Sequence, residues 1–168
     1  MFIGAFETAG EQLHDSMSNM EKKPFANPAP SVHHTLALWA ADCAEHTLHL
    51  FEDKDPNDKR PRFALEALRK WVRGELEMVK CREAAFEAHA AARNAEDKAA
   101  VAAARAAGQA VAVAHMYTHA PYAADYAAKA ASFAVPADQA NAAMTAEREW
   151  QWDHLRDDLR PIGFPKGK

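Results

Sequence analysis

The chain has 168 residues, 49% hydrophobic and 26% charged, with a formal net charge of −4. That length and balance fit one folded domain with a proper core and exclude a disordered chain. The negative balance and pI near 6.1 leave no electrostatic footprint for nucleic acid, and no stretch approaches the roughly 18 uninterrupted apolar residues of a membrane span.

Residues 1–34 differ from the rest and read as an arm. "EKKPFANPAPS" clusters Pro24, Pro28 and Pro30, which favour extended chain, although a short helix over 8–20 is compatible with the pattern. Met20 offers a second candidate start. From Thr35 the punctuation predicts a single domain, 35–168, built from about six helices with short loops.

The first helix spans 35–52 and stops in the polar turn "EDKDPNDK". A second begins at Pro61, whose missing N–H is harmless in a first turn, and closes at Gly74. The third covers 75–92, ending at "RNAED". The fourth, 97–119, is Ala-rich and runs up to Pro121. A fifth covers 122–132, and Asp138 can cap a sixth reaching about 158, before "LRPIGFPKGK". No segment alternates like a strand, so the class is all-α.

Two cysteines, Cys43 and Cys81, fall inside helical patterns without C-x-x-C spacing, which suits a reducing cytoplasm. From Ala84 to Ala146 nearly every second residue is alanine, so these helices form readily and can approach closely. Ala104, Gly108 and Ala112 share one face, and close backbone contact accounts for a glycine there, which costs about 1 kcal/mol against alanine.

Polar residues on these faces raise the question of chemistry. Leu36, Trp39, Ala40, Cys43, Thr47 and Leu50 form the apolar face of the first helix, with Asp42, His46 and His49 along its shoulder and Glu45 pointing away. On the fourth helix His115 and His119 continue the face of Val111. One reading is a metal centre built from Asp42, His46, His115 and His119, although no H-E-x-x-H or paired E-x-x-H accompanies it. The plainer reading is a hydrogen-bonded network of Asp42, His46, Arg62, His89, His115 and His119 that sets helix register. There Asp42 accepts from His46 and from Arg62. No nucleophile–base set or phosphate loop is present in the local sequence, and no motif requires a cofactor. Trp150 and Trp152 read as packing residues, with interface anchors as the alternative.

"LALWAADCAEHTLHLFE", "DKRPRFALEALRKWVRGE", "CREAAFEAHAAAR", "AAARAAGQAVAVAHMYTHA" and "AADYAAKA", in that order, resemble the helical immunity proteins of bacterial polymorphic toxin systems, specifically the immunity-five-like group. The resemblance covers about 35–160. His49 stands where it implies an apolar residue or proline. It implies a small cytoplasmic all-α protein, not an enzyme, that neutralises a cognate toxin by stoichiometric binding, commonly through a complementary and often acidic surface. It transfers no catalytic residues. A helical module that self-associates on its alanine face is a further alternative.

Overall fold

A computed structural model describes residues 26–168, and the expected helix over 8–20 lies outside the described residues. Among the described residues all regular structure is helical. The elements are α1 Pro30–Glu52, α2 Arg60–Val72, α3 Met78–Asn94, α4 Lys98–Ala112, α5 Ala120–Phe133, α6 Ala140–Asp153 and α7 Arg160–Gly163. Two 3-10 turns, Tyr117–His119 and Asp157–Leu159, precede α5 and α7.

Local chemistry sets most boundaries. Pro30 occupies the first turn of α1, so the helix begins there rather than near Thr35. A proline in that turn forfeits only an N–H that has no helical partner. Gly74 takes φ +73 just past α2, and the Glu75 N–H reaches back to the Lys70 carbonyl at 2.9 Å, closing a Schellman turn. The Asp97 side chain caps α4 by accepting from the Ala100 N–H at 3.0 Å. Asp138 does not cap α6; the helix begins at Ala140 after Gln139, with no side-chain cap.

α4 ends at Ala112, not at 119. Two side chains from the beginning of the described chain stop it. His33 hydrogen-bonds the Val113 carbonyl at 2.5 Å. The Asn27 amide donates to the His115 carbonyl at 3.0 Å and accepts from the Tyr117 N–H at 2.9 Å. These contacts satisfy backbone groups that a continuing helix would have paired.

Ion pairs bridge several of the successive helices. Arg69 meets Asp42 across α1/α2, Arg60 meets Glu87 across α2/α3, and Arg148 meets Asp125 across α5/α6. α4 is buried almost all round, from Ala99 and Ala100 through Ala106, Ala107 and Gly108 to Val111. A helix apolar on every face belongs in the centre, and α1, α2, α3 and α5 pack around it. The alanine-rich face of α4 is therefore occupied within one chain. α6 reaches α1 chiefly through side chains: Trp39 Nε1 donates to the Gln151 carbonyl at 2.9 Å.

Candidate functional site

The edge where α1 meets α6 carries the densest polar and aromatic arrangement. Glu147 on α6 is only 5% exposed. Its Oε1 accepts from Gln151 Nε2 at 3.1 Å, and its Oε2 lies 2.7 Å from His46 Nδ1 on α1. Facing a carboxylate, Nδ1 is the donor. Gln151 is fully buried, and the same Nε2 also donates to the Ala124 carbonyl at 2.9 Å, tying the pair to α5. Its Oε1 has no partner among the described residues. Removing a carboxylate from water costs several kcal/mol, so this pairing holds His46 in one orientation at a real energetic cost.

The His46 imidazole, 43% exposed, lies flat on Trp150, centroids 4.0 Å apart and planes at 12°. His154 covers the other face of the indole at 4.0 Å and 23°, with its Nδ1 donating to the Trp150 carbonyl at 2.7 Å. Both imidazoles thus turn Nδ1 inward and leave Nε2 without a protein partner among the described residues. They flank an indole, so the two nitrogens cannot share one ion, whose nitrogen ligands sit about 2.1 Å from it.

Asp42, Glu45, His46 and Trp150 line a shallow cleft at this edge. Asp42 does not accept from His46. Its Oδ1 pairs with Arg69 Nη2 at 2.9 Å, and the same guanidinium reaches Glu45 at 2.5 Å. Glu45 therefore belongs to the cluster rather than pointing away. Arg62 serves Glu52, through Nε at 2.5 Å and Nη2 at 2.8 Å, and Glu45 at 3.3 Å, not Asp42. That bidentate hold keeps the Glu52 carboxyl below its usual range.

The remaining histidines lie elsewhere. His89 on α3 presses its ring against Gly108 of α4, so the close contact expected at that glycine is made by an imidazole rather than a helix backbone. Its Nδ1 is buried without a partner among the described residues. Burial, then the charges of Arg105 and Arg93, depress its pKa. His119 sits in the 3-10 turn, its Nδ1 2.8 Å from Gln109 Oε1, and burial lowers its pKa too. His115 is exposed in the turn after α4, and His49 is exposed in the last turn of α1. Because α4 stops at Ala112, His115 and His119 do not share a helical face.

The expected four-residue metal set is thus divided. Asp42 and His46 sit at the α1–α6 edge, His119 pairs with Gln109, and His115 faces outward. Among the described residues no group of three His, Cys, Asp or Glu side chains is arranged to hold a metal ion. Of the proposed network, Asp42 and Arg62 stay linked through Arg69 and Glu45, while His46 pairs with Glu147 and His119 with Gln109, and His89 and His115 join neither. The Cys43 thiol is pushed well up by burial beside Glu147, and Cys81 is pushed up to about 11 by burial, so neither is an activated nucleophile. Trp150 is a partly buried member of the surface stack, while Trp152 packs on Phe164 with centroids 5.1 Å apart.

Glu147, Gln151 and His154 did not emerge from the sequence. Their spacing was the available signal: 147, 150, 151 and 154 fall on one stripe of a helix.

A family model described as "Imm-5 like putative immunity protein" matches residues 28–158. No curated protein and no solved structure gives a significant match. No helix among the described residues is long and apolar enough to cross a membrane.

Proposed function

The chain belongs to the Imm-5 like immunity protein family, and on that premise we propose that it neutralises a cognate bacterial toxin in the cytoplasm by stoichiometric association, without turnover. The single observation supporting a binding role over a catalytic one is the stack of His46, Trp150 and His154 above the buried Glu147. It presents a rigid indole edge on packed helices, and Trp is prominent among the residues that dominate interface energies. Asp42 and Glu45 beside it, though shared with Arg69, keep exposed carboxylate oxygens that can accept from a basic partner group. His89 and His119, each held within its own pair of elements, act on this reading as register-setting residues rather than reactive ones.

Co-expression with a candidate cognate toxin domain, one that is lethal when expressed alone, tests the proposal. Survival of the cells and a one-to-one complex on light scattering support it. Unrelieved toxicity with abundant folded chain counts against it.

A further inference from the structure

We propose that a second site, the cleft between the start of α5 and the C-terminal segment, binds a small aromatic carboxylate. The proposal stands on this cleft alone and is independent of the toxin reading. The cleft encloses about 580 Å³, within the range of small-molecule sites. Its walls are Tyr117 and Tyr122 on one side and Pro161, Ile162 and Pro165 on the other.

These walls are preformed. Prolines and tyrosines have few rotamers to lose on binding, so little ordering cost falls on the protein. Gly163 seats the C-terminal segment directly on the core: a Cβ there would meet Leu155 Cδ2 and come 3.1 Å from Trp39. Phe164 then packs against Trp39 and Trp152 and supports Arg148, whose guanidinium carbon lies 4.6 Å from the Phe164 centroid.

The charges select the ligand. Arg148 and Lys166 line the cleft against a single carboxylate, Asp125, a cationic locality on a chain of net charge −4. Arg148 spends only Nη1 on Asp125, at 2.7 Å, and its other N–H groups have no protein acceptor among the described residues. Lys166 has no ion-pair partner there either. A ligand with a planar apolar body fits between the tyrosines and the prolines, and one carboxylate on it completes Arg148 and Lys166.

The test is an NMR titration of the full chain with phenylacetate, its neutral isostere phenylacetamide and the cationic phenethylamine. Phenylacetate is expected to give saturable shifts at Tyr117, Tyr122 and Ile162, with Kd on the order of 1 mM. Phenylacetamide and phenethylamine should bind about tenfold more weakly or not at all, and Lys166→Glu or Tyr122→Ala should weaken phenylacetate by about tenfold. Both residues are exposed, Tyr122 by 56%, so these variants keep the fold, which an otherwise unchanged spectrum verifies. Tighter binding of the peptide Gly-Gly-Phe than of phenylacetate would mark a chain terminus as the source of the carboxylate. Equal shifts from the neutral or cationic probe, non-saturating shifts, or indifference to both variants would overturn the proposal.

Discussion

The imidazole of His89 occupies the space where a side chain on Gly108 would begin: a β-carbon there would lie 2.6 Å from Cε1 and 2.8 Å from each ring nitrogen. Helix propensity alone says that alanine at 108 gains about 1 kcal/mol. Overpacking against the His89 ring costs about 1–3 kcal/mol, so Gly108→Ala is expected to destabilise the protein. In a His89→Ala background the clash is gone and the same change becomes neutral or stabilising. Urea unfolding of the four proteins in this cycle measures that reversal of sign.

Acid should loosen the fold from near neutrality. His33, His89 and His119 all have pKa values lowered from 6.5, chiefly by burial. The unfolded chain therefore takes up protons first as pH falls. The stability these neutral imidazoles contribute is complete above pH 6.5 and is lost as pH falls through their folded values. The carboxyls of Glu52 and Asp58, held below 4.5 and 3.8 by Arg62 and Arg60, add a second loss at lower pH. Melting temperature measured from pH 7.5 to 5 should decline, and His89→Gln should flatten the decline.

His46 and Glu147 should be coupled in stability. His46→Ala leaves a carboxylate that is 5% exposed without its imidazole, at an expected cost of about 1–3 kcal/mol. Adding Glu147→Gln removes the stranded charge and should recover part of that loss. A double-mutant cycle with no coupling would show that the pair contributes nothing to the fold.

Both thiols should resist modification while the chain is folded. Cys43 and Cys81 are fully buried, with pKa values raised by that burial. Ellman's reagent at pH 8 is expected to react with neither in minutes and with both in denaturant.

Most helices were legible because proline, glycine and polar turns punctuate them: Pro61 and Gly74 mark α2 within a residue or two. The end of α4 was not. "AVAVAHMYTHA" contains no local stop, and the helix is ended by Asn27 and His33, which lie 88 and 80 residues away in sequence from the backbone groups they satisfy. Mistaking Pro30 for a helix excluder hid those same residues. The candidate site was half legible. His46 stood out, but its partner is Glu147, 101 residues on, rather than Asp42 four residues before it. Spacing along one helix showed which side chains could meet, while the tertiary fold brought a better acceptor.

The central claim is one-to-one binding through the α1–α6 edge. Isothermal titration of the chain with a toxin domain that it neutralises in cells tests it most directly, using wild type, Trp150→Ala and Asp42→Lys, each checked for helicity. The account predicts a stoichiometry of one, with affinity weakened about tenfold or more by each substitution. Binding untouched by both variants, or toxin inactivated by a small fraction of an equivalent, would contradict it.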